Sequence, residues 1–127
     1  MKFDIVTIFP AMVDAALRVG VVGRAVERGT LAVTVHDLRA FTFDRHHVVD
    51  DVPYGGGPGM VMKCQPLADA VESARQIDVA SSCVICLSPQ GQSLKQSMLQ
   101  RISRYDQVIL IAGRYEGIDE RFVQSLC

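Results

Sequence analysis

The sequence predicts an α/β fold, a mostly parallel sheet with helices on both faces. Short β-branched runs alternate with longer segments of helical period, the pattern of parallel strands joined by crossover helices. Apolar residues make up 49% of the 127 residues and spread along the whole length. That is enough for one domain with a buried core, and it argues against disorder.

Phe3 to Phe9 is an apolar run ended by Pro10 and reads as the first strand. Ala11 to Arg28 has Met12, Ala15, Ala16 and Val19 at helical spacing. Gly20 and Gly23 are expected to break it in two, and Gly29 to stop it. Leu31 to His36 alternates and is β-branched, a second strand. Asp37 to Met62 shows no period and far exceeds the usual loop of about 4–6 residues, so it is expected to be functional. Pro66 fits the first turn of a helix running to about Gln76. Ser82 to Leu87 is a third strand, Ser93 to Ser103 a helix, and Gln107 to Ala112 a fourth strand. Asp119 is placed to cap a last helix. No internal repeat, low-complexity tract or linker interrupts this series.

Thirteen basic and 14 acidic residues leave a formal charge of −1, which argues against a bulk electrostatic nucleic-acid binder and leaves room for a local basic patch. No apolar run approaches the roughly 20 residues of a spanning helix. The opening Met1-Lys2-Phe3-Asp4 does not resemble a signal peptide. A cytoplasmic protein without membrane association is the default expectation.

Cys83 and Cys86 have C-x-x-C spacing, yet they fall on a predicted strand, where residues three apart face opposite ways. No second pair follows, so the cysteines read as small core residues and no metal site is expected. Asp44-Arg45-His46-His47 with Asp50-Asp51 matches no zinc spacing and reads as a polar loop. His36, at a strand end, reads as structural.

Three segments are candidates for ligand binding. Tyr54-Gly55-Gly56-Gly57-Pro58-Gly59 combines glycines, which permit positive φ and close backbone approach, with prolines that limit wobble. Composition alone leaves two readings open, a loop that clasps a base or phosphate and a mobile surface loop. Leu87-Ser88-Pro89-Gln90-Gly91 and Gly113-Arg114-Tyr115-Glu116-Gly117 each follow a strand. In open α/β sheets ligands bind at the carboxyl ends of strands. Neither is a dinucleotide or P-loop fingerprint, which disfavours NAD or ATP enzymes, and either loop taken singly reads first as an ordinary turn.

Taken together, these segments resemble the bacterial tRNA (guanine-N1)-methyltransferases, the TrmD family of the knotted SPOUT superfamily. The matching stretches are Phe9-Pro10, Gly23-Arg24-Ala25, Phe41-Thr42 with Asp44 and His46, Val49 to Met60, Leu87 to Gly91, and Gly113 to Arg121. Ala11, Ala40 and Cys64 depart from the family at framework positions. The resemblance implies a trefoil knot, incomplete in this chain, that binds S-adenosylmethionine. Leu87, Ser88, Pro89, Gln90, Gly91, Gly113, Tyr115, Glu116 and Gly117 would line the cofactor pocket. Tyr54, Gly55, Gly56, Gly57, Pro58 and Gly59 would face the target guanine at tRNA position 37, beside the anticodon.

The implied enzyme is a homodimer with sites built from both chains. Guanine N1 becomes a nucleophile only when a general base removes its proton. Positive charge from an arginine or Mg²⁺ would meet the charge developing at O6. The family's general-base Asp, its partner Arg and a C-terminal tRNA-binding domain would lie beyond Cys127. Residues 1–127 are therefore expected to be the N-terminal S-adenosylmethionine-binding domain, with no catalytic residue of their own and no activity alone. The alternative is a shortened, non-catalytic module that dimerises or binds RNA or a nucleotide.

Overall fold

A computed structural model describes residues 1–75 and 80–127. Its centre is a four-stranded parallel sheet of β1 (Lys2–Thr7), β2 (Ala32–Asp37), β5 (Ser82–Cys86) and β6 (Gln107–Ile111), in the order β2-β1-β6-β5. A second, two-stranded sheet pairs β3 (Asp50–Asp51) with β4 (Val61–Met62) antiparallel. The helices are α1 (Pro10–Leu17), α2 (Gly20–Glu27), α3 (Cys64–Ala74), α4 (Gln96–Ile102) and α5 (Glu120–Leu126).

Helices cover both faces. The steps from β1 to β2 and from β5 to β6 run one way across the sheet, and the step from β2 to β5 runs the other. Parallel crossovers are right-handed, so α1, α2 and α4 lie on one face and α3 on the opposite one. Helix α5 packs on α3.

The core sits on the α3/α5 face. Leu67, Ala70, Val71 and Ala74 of α3 and Phe122 of α5 pack with Val6, Ile109 and Ile111 of the sheet and with Leu38 and Met62. The register puts Asp4 on this same face, where it is fully buried. Its carboxylate is met at 2.7 Å by His36 Nε2 and at 2.7 Å by Gln107 Nε2, with Lys2 Nζ at 3.4 Å. Gln107 also donates to the Ala74 carbonyl, tying the sheet to the end of α3. A buried carboxylate is tolerable only when hydrogen-bonded and paired in this way. His36 is structural, as its position in the sequence indicates.

Helix boundaries follow local chemistry. Pro10 starts α1, where a missing N–H costs nothing. Gly20, at φ +66°, opens α2. Gly23 does not break the helix as expected. It lies inside α2, where a Cβ would stand 2.5 Å from the Arg18 carbonyl, so glycine is needed for close approach. Gly29 ends the segment at φ +70°. Helix α3 begins two residues before Pro66; Gln76, its expected end, lies outside the described residues. Helix α4 starts at Gln96 rather than Ser93. Asp119 caps α5 by accepting from Arg121 N at 3.0 Å.

The register places Cys83 and Cys86 on opposite faces, as strand geometry requires. Cys86 is not merely a core residue, however. The last turn of α5 reaches the end of β5, and Cys86 and Cys127 form a disulfide with Cα atoms 6.0 Å apart.

Candidate active site

Three chain segments meet at the carboxyl ends of the central strands. The first is the long connection after β2. It is ordered by its own polar groups: Asp44 accepts from the backbone of His46 and Val48, and Thr42 Oγ1 donates to the Arg39 carbonyl. The Val48 N–H above all, and then that of His46, hold the Asp44 carboxyl below its ordinary range. Asp50 pairs with Met62 and Asp51 with Val61, which turns Val52–Met60 into the tip of a hairpin.

The second segment is Gly113 to Asp119, after β6. It clasps the base of that hairpin. Glu116 N donates to the Met60 carbonyl at 2.9 Å, Met62 N to Gly117 at 2.9 Å, and Asp119 N to Met62 at 3.0 Å. Arg114 N donates to Met62 Sδ at 3.3 Å. Met62 itself is fully buried, so the clasp is anchored in the core. Gly59, at φ +86°, completes it: a Cβ there would overlap Glu116 Cγ. Only glycine satisfies both the backbone and the space.

Tyr115 sits in the left-handed region at φ +64°, uncommon for a residue with a side chain. Such outliers concentrate at functional sites. Partial burial, and then the negative charge of Asp50, push its pKa above the ordinary tyrosine value. Arg114 lies 5.8 Å over the Phe9 ring, and Arg39 Nη1 donates to the Ile8 carbonyl at 2.6 Å. The end of β1 is thereby joined to the same region.

The third segment, Leu87 to Gly91, follows β5. Leu87 N donates to the Ile111 carbonyl at 3.1 Å, and the Leu87 carbonyl lies close beside Gly113. Ser88 shapes the turn by accepting from Gln90 N at its hydroxyl and from Gly91 N at its carbonyl.

The structure thus brings Leu87–Gly91 and Gly113–Gly117 side by side and joins Gly59 to Glu116. It does not bring in the hairpin tip. Tyr54 is fully exposed, and a Cβ at Gly55, Gly56 or Gly57 would meet nothing within 4 Å. Sequence reasoning did not find Met62, Asp50 or Arg39 as organising residues. Asp50 was read only as part of a polar loop and of the family match, Arg39 carried no pattern, and Met62 looked like the end of a loop.

Residues 1–127, the whole chain, match the family model described as tRNA (Guanine-1)-methyltransferase TrmD. The chain belongs to the TrmD family. It is 53% identical over 125 residues to a "tRNA (guanine-N(1)-)-methyltransferase" of Pseudomonas putida (strain W619), covering 98% of this chain and 50% of that protein. A relative of the same name from Marinomonas sp. (strain MWYL1) is 50% identical over 125 residues, with the same coverage. The crystal structure of the tRNA (m1G37) methyltransferase from Aquifex aeolicus superposes with a TM-score of 0.83 at 36% identity, over 98% of this chain and 56% of that one. The chain spans about half the length of the curated TrmD relatives it matches. The parallel α/β architecture is therefore that of a TrmD structure. No helix among the described residues is long and apolar enough to cross a membrane.

Proposed function

We propose that this chain is the S-adenosylmethionine-binding part of a tRNA (guanine-N1)-methyltransferase that modifies the guanine at position 37, beside the anticodon. The observation that carries the proposal is the junction of the Leu87–Gly91 and Gly113–Gly117 loops at the strand ends, in a chain of the TrmD family.

The residues there fit the cofactor. Leu87, 55% exposed, and Tyr115, 39% exposed, offer apolar surface to a purine. Ser88, Pro89, Gln90, Gly91 and Gly113 expose backbone to its ribose and base. The Glu116 carboxylate can accept from ribose hydroxyls, and Gly117 keeps the backbone close. When bound, the sulfonium supplies the electrophilic methyl group. The task of this chain is to hold it and exclude competing orientations. The exposed tip Tyr54–Gly59 is free to meet the target base, which stacks readily on an aromatic ring once splayed from the anticodon loop.

The general base that frees N1, and the arginine or Mg²⁺ that steadies O6, are assigned to residues outside this chain. The rest of the knot and a tRNA-gripping domain are assigned to the half of the relatives' length that this chain does not span. The assembly is a cytoplasmic homodimer. Supporting the dimer, Met12 of α1, Val21 and Val22 of α2 and Val19 between the two helices leave apolar side chains exposed.

Isothermal titration of purified 1–127 with S-adenosylmethionine tests the assignment, paired with a methylation assay on tRNA. One-to-one binding without N1-methylguanine is expected. Folded protein that binds no cofactor would remove these loops as a sufficient pocket. Turnover by 1–127 alone would overturn the placement of the base outside it.

A further inference from the structure

Charge is unevenly placed in this chain. From Ser81 to Tyr105 there are three cations, Lys95, Arg101 and Arg104, and no carboxylate, although the whole chain is at net −1. Two of the three converge. Lys95 and Arg101 line an open groove of about 360 Å³ together with Gln92, Ser93, Ser97 and Met98. Neither cation has an ion-pair partner among the described residues, whereas Arg18 and Arg121 each pair with an aspartate. The groove is therefore lined by an ammonium, a guanidinium, two hydroxyls and an amide, with no acid to neutralise them. Together they offer many donors around a positive centre, the chemistry that meets an oxyanion with several acceptor oxygens.

Position narrows the ligand. Gln92 directly follows Gly91, the end of the proposed cofactor wall, so one edge of the groove abuts that wall. A nucleotide presented to the site extends its own backbone away from the reacting base. Phosphates so held fix register and orientation without reading sequence.

We infer that the Lys95–Arg101 groove binds a backbone phosphate of the RNA substrate, next to the target nucleotide. This rests on the RNA-methylation reading above and adds a contact surface on this part of the chain. The groove holds the strand in register while the hairpin tip meets the base.

The test is binding of a synthetic anticodon stem-loop RNA across a salt series, by fluorescence anisotropy. The proteins compared are wild type, a Lys95→Ala/Arg101→Ala double variant and Arg104→Ala. All three positions are exposed, so folding is checked simply by matching thermal melts. The double variant is expected to weaken binding several-fold at low salt and to lower the salt slope by about one. The loss is expected to be the same for stem-loops with guanine or adenine at the target position, because a phosphate contact is blind to sequence. Arg104→Ala, which removes a cation outside the groove, is expected to change the slope much less.

Wild-type binding with an unchanged slope in the double variant would overturn the inference and leave the methyltransferase reading intact. An equal loss in Arg104→Ala would overturn it in favour of a diffuse field. Inorganic phosphate at constant ionic strength is expected not to displace the stem-loop. Saturable displacement that depends on Lys95 and Arg101, with the slope unchanged, would overturn it in favour of a small-anion site. Wild-type protein that binds S-adenosylmethionine but no stem-loop at any salt would sink this inference and the RNA reading together.

Discussion

The two faces of the sheet are built from similar sequence and reach different ends. Helix α1 (PAMVDAAL) is more apolar than α3 (CQPLADAVESA). Yet α3 buries Pro66, Leu67, Ala70, Val71 and Ala74, while α1 and α4 bury nothing and α2 only Gly23. Sheet residues facing the two sides differ likewise. Val6, Ile109 and Ile111 are buried toward α3; on the other side Val108 is buried as well, but Phe3, Ile5 and Leu110 are only partly buried. Met12 of α1 and Val21, Val22 and Val26 of α2 are left in water, and exposed apolar side chains of this kind are what an interface would cover.

The candidate site straddles this division. Its Gly113–Asp119 wall is tied through Met62 into the packed core. Its Leu87–Gly91 wall leads into α4, on the thinly packed side. One wall is anchored by burial and hydrogen bonds, and the other is held mainly by the strand it leaves. Regions with few buried apolar contacts open at lower free energy. The Leu87 side is the one expected to adapt when ligand arrives.

Truncation on the packed side should give the largest effect. Phe122→Ala removes a fully buried ring and is expected to cost about 3–5 kcal/mol in urea unfolding, whereas Leu99→Ala on α4, 43% exposed, should cost about 1 kcal/mol or less. Equal losses would erase the contrast between the faces.

Gly59→Ala probes the anchored wall. It forces a side chain into positive φ and against Glu116, at an expected cost of about 1–3 kcal/mol. Cofactor titration should show weakened binding through the displaced Glu116. A variant with wild-type stability and affinity would mean that the clasp is looser than it looks.

The smallest effect on stability belongs to the open face. Val21→Ser, at a side chain 74% exposed, should change unfolding free energy by no more than about 0.5 kcal/mol. Sedimentation velocity should nevertheless show weaker self-association. Unchanged association would remove α2 from the dimer contact.

Much of this was legible in sequence for definite reasons. β1 and β6 are short apolar runs bounded by a proline or by polar turns, so periodicity and punctuation located them. Pro66 marked the first turn of α3, and Asp119 marked the cap of α5. The two loops at strand ends could be picked out because an open parallel sheet exposes ligand sites there. The hairpin could not be read. Its strands are two residues each, too short for any period. Gly23 misled because glycine usually weakens a helix, and here close approach to Arg18 requires it.

By itself, then, the sequence determined the alternation of strands and helices, the positions of the two loops at the strand ends and the family. These depend on neighbours in the chain, whose spacing is written in the order of residues. Tertiary structure alone decided the strand order, the Asp4–His36–Gln107 network, the Cys86–Cys127 pairing and the grip of Met62 on Gly117. It also decided which of two apolar faces was covered. Those contacts join residues tens of positions apart, and such pairs meet only after crossovers have fixed which strands lie side by side.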